Sequence, residues 1–269
     1  MIYLNGEKTN DFSFQNNAFL NGDAVKVYFF VRNSQLIMPE ECYFFLMASM
    51  RKMRMNIPLS FTLEFFSDVF HKAILENNLE NGTINLLAFR NKDKELSSKT
   101  PVQFYYELIF SGEILSIKKN VELDILKEIS VNTNILSNIR THSPENIYAE
   151  IYAKENDLDE VILLNPEKRI ARTIFGNLLL LEENTIKIPK QTEGSYISPL
   201  MENFVTFVFK NNLATIEETE LSAFETQKAE EILLISDEKG LFSVSKIRNK
   251  EFENHKFSAM VESWRNSFN

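Results

Sequence analysis

Glycine is scarce in this chain: 7 residues in 269, where an average protein carries about 7%. Loops that cradle phosphate need glycine because the backbone must approach the anion closely. A glycine-rich phosphate loop is therefore not expected. A single cysteine, Cys42, excludes an internal disulfide framework and suits a reducing compartment. Histidine is sparse too: His71, His142 and His255 are scattered, with no metal-ligand spacing. No apolar run approaches the roughly 20 residues that span a bilayer. The opening MIYLNGEKTND lacks a basic start followed by an apolar core, so no signal peptide is expected. A cytoplasmic protein without a membrane partner is the expectation. Lys and Arg number 29 against 38 Asp and Glu, a net charge of −9. That balance argues against a nucleic-acid partner, which would need clustered cations.

What the chain does have is material for cores. Hydrophobic residues make up 44%, and 23 residues are Phe. The length suits two domains of ordinary size, and we read them as 1–117 and 118–269. In the first, residues 1–5 read as a strand turning at Asn5-Gly6. Residues 24–31 form a β-rich run that turns at Asn33-Ser34. Pro39-Glu40-Glu41 opens a helix with Tyr43, Leu46, Met47, Met50 and Met53 as its apolar stripe. A second helix over 62–77 and strands over 83–90 and 102–110 complete an α+β unit, with one of Tyr105 and Tyr106 facing its core. Residues 118–137 read as an irregular crossing. The second domain then reads as helix, strands over 161–164 and 177–181, and a segment over 185–189. A helix over 200–210, a short helix over 223–231 and strands over 232–235 and 242–247 follow. A last helix over 253–266 packs Phe257, Met260, Val261 and Trp264. The acidic run Glu217-Glu218-Thr219-Glu220 reads as a solvated face.

The densest signal lies in residues 137–181. A turn-like segment leads into a helix with Ile147, Tyr148, Ile151 and Tyr152 at helical spacing. Asp159-Glu160-Val161-Ile162-Leu163-Leu164-Asn165 follows, and then Gly176-Asn177-Leu178-Leu179-Leu180. These motifs, in this order and spacing, resemble the class IV aminotransferases. That pyridoxal-phosphate family includes branched-chain and D-amino-acid aminotransferases and aminodeoxychorismate lyase. The resemblance covers essentially the whole chain. It implies an α+β, two-domain, D-amino-acid aminotransferase-like (fold type IV) architecture, a cleft between the domains and a homodimer, which would also bury some of the Phe excess.

The same resemblance implies a cofactor lysine that this chain lacks. Aligned through Ser137-Asn138-Ile139 the position holds Arg140; aligned from the helix side it holds Ile139. An arginine stays protonated and cannot form the imine that holds pyridoxal phosphate. The family's phosphate-gripping arginine aligns with Phe45, and a preceding histidine with Cys42. Its ring-nitrogen glutamate aligns with Arg172, whose cation would oppose ring protonation. The phosphate-binding helix start aligns with Ser198 and Pro199, where proline removes a donor. The late threonine and asparagine align with Ile235 and Ser236. Schiff base, phosphate fork, ring partner, helix start and late hydroxyl are all altered, so no cofactor is expected.

Three functions remain open at this point. One is a non-catalytic homologue that binds a small carboxylate or phosphate in the cleft through Arg140 and Arg172, which Asp159 or Glu160 could otherwise neutralise. Another is an active pyridoxal-phosphate aminotransferase or lyase using a substitute lysine, Lys26 or, less suitably, Lys154. The third is a structural or regulatory partner of a true paralogue. His142 reads as a turn or surface residue and Cys42 as a small buried hydrophobe.

Overall fold

Residues 1–9, 13, 15–91 and 97–268 are described by the computed structural model. The chain divides into two compact units: Met1–Ile114 with Ile139–His142, and Leu115–Asn138 with Ser143–Asn269. The expected boundary at 117 falls instead at the first residue of a strand, and four residues around Arg140 return to the first unit.

The first unit contains β1 (Ile2–Leu4), β2 (Glu7–Lys8), α1 (Asn17–Asn21), β3 (Ala24–Arg32), β4 (Gln35–Ile37), α2 (Pro39–Lys52), α3 (Leu63–Asn77), β5 (Gly82–Arg90) and β6 (Val102–Ile109). Among the described residues its strands form one antiparallel sheet in the order β2-β1-β6-β5-β3-β4. Asn33 and Ser34 both adopt positive φ, as a two-residue hairpin requires. Pro39 occupies the first turn of α2, with Glu40 and Glu41 beside it, where a helix start favours them. The buried face of α2 is Cys42, Phe45, Leu46, Met47, Ser49 and Met50. It is rotated slightly from the expected stripe, so that Tyr43 is half-buried and donates its hydroxyl to the Phe61 carbonyl at 3.0 Å. Phe61, Phe66, Phe70, Phe104 and Tyr106 form one aromatic cluster with edge-to-face, tilted and stacked pairs. Much of the Phe load is spent in this core. Tyr106 is buried while Tyr105 is half-exposed and donates to Glu107. A buried ion pair between Asp23 and Arg90, at 2.5 Å, ties the start of β3 to the end of β5.

The second unit contains β7 (Ile117–Leu126), α4 (Pro144–Glu155), β8 (Glu160–Leu164), β9 (Ile170–Thr173), β10 (Asn177–Glu182), β11 (Thr185–Pro189), α5 (Pro199–Lys210), β12 (Thr215–Thr219), β13 (Glu231–Ser236), β14 (Gly240–Ile247), β15 (Lys250–Glu251) and α6 (Lys256–Asn266). Its mixed sheet runs β12-β11-β10-β13-β14-β7-β8-β9, with β15 on β14. The segment read as an irregular crossing supplies β7, which pairs in parallel with both β14 and β8. Its outer half is exposed and charged, which masked the strand pattern. The acidic run at 217–220 is largely β12, an exposed strand beside β11. Residues 223–231 divide into a short 3-10 helix over Ala223–Gln227 and the start of β13.

The run from Val161 to Leu164 is buried on both faces. Val161 and Leu163 meet Ala149 and Ala153 of α4, while Ile162 and Leu164 join Leu178, Leu180, Ile232 and Leu234. Helix α4 therefore seats its alanines, whose small side chains allow close packing, and leaves Ile147, Tyr148 and Ile151 exposed. The final helix buries Phe257, Met260, Val261 and Trp264 as expected. Among the described residues no helix is long and apolar enough to cross a membrane.

Candidate functional site

The motif residues of the second unit hold one another in place. A Cβ at Gly176 would stand 2.2 Å from the Ile235 carbonyl oxygen. Only glycine lets β10 and β13 close there, and this explains the first letter of the Gly-Asn motif. Asn177 is fully buried and pairs with the backbone of Tyr196: its Nδ2 donates to the Tyr196 carbonyl at 2.7 Å, and its Oδ1 accepts from the Tyr196 N–H at 3.0 Å. Asn138 donates to the carbonyls of Gln191 and Ser195 and accepts from the Ile197 N–H. The stretch from Gln191 to Ser198 is thus fastened from two sides and delivers the start of α5.

Arg172 lies on β9 and is buried. Its guanidinium carbon is 4.5 Å from the Tyr196 ring centroid, and Nη2 donates to Asn146 Oδ1 at 2.9 Å. Asn146 in turn donates to the Ile174 carbonyl and the Tyr196 hydroxyl. An aromatic face below and an amide at the edge are what a buried guanidinium needs to offset desolvation. Asp159 and Glu160 are engaged elsewhere. Asp159 pairs with Lys119 and accepts from the Glu122 N–H. Glu160 accepts from the Ile174 and Phe175 N–H groups at 3.0 and 3.1 Å. Burial pushes the Glu160 carboxyl up to about 7.

The start of α5 carries the decisive contact. Ser198 is its N-cap and accepts from the Met201 N–H at 3.1 Å. The Ser198 hydroxyl donates to Asp237 Oδ1 at 2.7 Å, and the Leu200 N–H donates to the same oxygen at 3.2 Å. Asp237 is 2% exposed. The proline expected to weaken this terminus occupies the first helical position, where its missing N–H costs nothing. The terminus is intact and holds a carboxylate of its own chain. Ile235 is buried opposite Asn177 on β13. The Ser236 hydroxyl donates to the Phe175 carbonyl at 2.6 Å and accepts from the Lys239 N–H at 3.1 Å.

In the first unit, Phe45 and Cys42 are core residues of α2. Ile139 and Arg140 are both buried. The Lys26 N–H donates to the Arg140 carbonyl at 2.8 Å. The Arg140 guanidinium and the Lys26 amine each lie 5.6 Å from the Tyr28 ring centroid. Lys154 is solvent-exposed and paired with Glu150 at 2.9 Å. His71, His142 and His255 are exposed. Among the described residues no group of three or more His, Cys, Asp or Glu could hold a metal.

The sequence model of the amino-transferase class IV family matches residues 46–247. The chain belongs to that family. No curated protein matches it in sequence. Among solved structures, it is similar to a Legionella pneumophila protein provisionally described as a 4-amino-4-deoxychorismate lyase, with 19% identity, 98% of each chain covered and a TM-score of 0.87. The branched-chain aminotransferase of Thermoproteus uzoniensis shares 15% identity over 98% of this chain and 93% of its own, with a TM-score of 0.86. The 4-amino-4-deoxychorismate lyase of Pseudomonas aeruginosa shares 12% identity over 99% and 98%, with a TM-score of 0.83. The architecture is therefore that of the fold type IV pyridoxal-phosphate enzymes.

Within this class IV chain the residues do not fit that cofactor. A helix start whose N–H and hydroxyl donors already serve Asp237 offers a phosphate a buried carboxylate as its neighbour. Arg172, which the resemblance aligns with the family's ring partner, is a cation stacked on Tyr196. Asp237, Asn146 and Tyr196 belong to none of the motifs that mark the family in the sequence. The only signal for Asp237 was an acid next to the Ser236 position, in a stretch that reads as ordinary turn chemistry.

Proposed function

We propose that this chain is a non-catalytic class IV aminotransferase homologue, with the family's architecture retained and its cofactor chemistry lost. The observation that carries this reading is Asp237 on the first turn of α5, hydrogen-bonded to Ser198 and Leu200. Arginine at 140 and 172 and phenylalanine at 45 support it. Such a protein would act by binding, as a homodimer or beside an active paralogue. A small carboxylate or phosphate is the ligand this reading favours, because buried guanidinium groups such as Arg140 and Arg172 recognise either. Incubation with pyridoxal phosphate, borohydride reduction and peptide mapping test the reading. The expected outcome is no reduced adduct on any lysine and no visible absorbance after gel filtration.

One observation favours a second reading, an active aminotransferase or 4-amino-4-deoxychorismate lyase. Lys26 pairs through its backbone with Arg140 and shares the Tyr28 ring with it. A stoichiometric adduct mapped to Lys26 would replace the first reading with this one.

A further inference from the structure

The second unit contains a small cavity separate from the start of α5. It holds about 140 Å³ and is lined by Lys119, Asp159, Glu160, Ser236, Lys239 and Phe242, among others. The β13–β14 hairpin builds it. Ser236 pairs with Gly240, whose φ of 95° closes the turn. That turn presents Asp237 to α5 and Lys239 to the cavity. The Ser236 hydroxyl anchors the Lys239 N–H, and the Lys239 amine rests on the Phe175 ring, 3.2 Å from its centroid. Phe175 is itself held at both ends, its N–H by Glu160 and its carbonyl by Ser236.

We infer that this cavity is an amine-chemistry site, in which Lys239 condenses with a small aldehyde and Glu160 carries the proton. Two ionisable groups in one cavity have their protonation pushed toward the neutral forms that this chemistry needs. Burial lowers the Lys239 pKa; Glu160, Glu238 and Glu150 oppose the shift and Lys154 adds to it. Burial raises Glu160, with Lys239 opposing. Of the remaining charged groups in the lining, Lys119 and Asp159 are committed to each other. Sites for drug-sized ligands span about 300–1,000 Å³, so this smaller one suits an aldehyde of a few carbons.

The step balances within the site. The neutral Lys239 amine attacks the carbonyl carbon, forming the N–C bond, and the carbonyl oxygen takes the Glu160 proton. The nitrogen returns a proton to the Glu160 carboxylate. The carbinolamine hydroxyl then leaves as water with that proton, and loss of the last N–H proton gives the imine and restores the acid. One water is released and nothing is oxidised.

Glycolaldehyde with cyanoborohydride, applied to the full native chain, tests the inference by trapping the imine as a stable secondary amine that peptide mapping locates. Burial lowers the Lys239 pKa and so raises its neutral, nucleophilic fraction, and Lys239 should be labelled faster than the exposed Lys154. Its rate should peak near neutral pH, and Lys239→Arg should abolish the fast phase. Glu160→Gln should remove the fall in rate on the alkaline side of the peak. Should that variant fold poorly, the native pH–rate profile carries the same information. Labelling of Lys239 no faster than Lys154, or a native rate that only rises with pH, overturns the inference. A parallel incubation with pyridoxal phosphate keeps the two proposals apart, since an adduct at Lys26 bears on the proposed function alone.

Discussion

Ser198 and Asp237, 39 residues apart in sequence, share a 2.7 Å buried hydrogen bond at the first turn of α5. The same carboxylate oxygen accepts the Leu200 N–H. A helix start attracts negative charge through its exposed N–H groups and its dipole, and here the attraction is satisfied from within the chain. Asp237→Ala should therefore do two things. It should lower stability by about 1–3 kcal/mol, the cost of leaving buried donors unpaired. It should also make inorganic phosphate a better stabiliser than it is for the native protein. Thermal denaturation in phosphate and in chloride at matched ionic strength checks both; equal phosphate effects in the two proteins would remove Asp237 from this role.

Restoring one residue should not restore the family's chemistry. Arg140→Lys provides an amine, yet Phe45 remains buried in α2 and Arg172 remains stacked on Tyr196. The expected result is no stable adduct after borohydride and no transamination of amino-acid donors. Measurable turnover in Arg140→Lys alone would contradict the account of a site altered at several positions.

The order of helices and strands was legible because this chain punctuates itself clearly. Pro39, Pro144 and Pro199 each open a helix, and Asn-Gly and Asn-Ser mark the two-residue hairpins. Strand β7 escaped because half of it faces solvent as Lys118-Lys119-Asn120, so its pattern is polar where a central strand is expected to be apolar. Helix α4 has an apolar stripe at the right spacing, but it is not the buried one. Alanine packs more closely against β8 than isoleucine can, and a periodicity count weights the larger residues. The residues that align with the family's cofactor positions could be named from the sequence. The contacts that Ser198 and Arg172 make, with Asp237 and Asn146, could not, because each joins residues at least 26 positions apart.

Glu160 gives the protein a pH dependence of definite sign. Burial pushes its carboxyl in the folded state up from 4.5 to about 7. Between those values the folded state holds a proton that the unfolded chain has released. The contribution is complete below the lower value and is lost as pH rises through the higher one. The scale is about 3 kcal/mol, at 1.36 kcal/mol per unit. Lys239, with its pKa lowered, acts in the opposite sense at more alkaline pH. Urea unfolding from pH 4.5 to 8 should show stability falling across this window, and Glu160→Gln should flatten the fall. Parallel curves for the two proteins would exclude Glu160 as the source.

The exposed face of α4 makes the dimer testable. Ile147, Tyr148 and Ile151 are 52%, 47% and 52% exposed, and neighbouring apolar residues on one helix face form a patch that water does not favour. Helix α4 is anchored to β8 through Ala149 and Ala153 on its opposite side, so changing the outer face should leave the fold intact. The native chain should run as a homodimer in light scattering at micromolar concentration. Combining Ile147→Glu with Ile151→Glu should shift it to monomer with little change in the circular dichroism of the folded state, because each carboxylate would be desolvated at the interface yet solvated in the free protomer. Leu59→Glu, at a position 99% exposed and outside this face, should leave the mass unchanged. A native monomer would end the dimer proposal. A dimer that survives both α4 substitutions would move the interface to another surface.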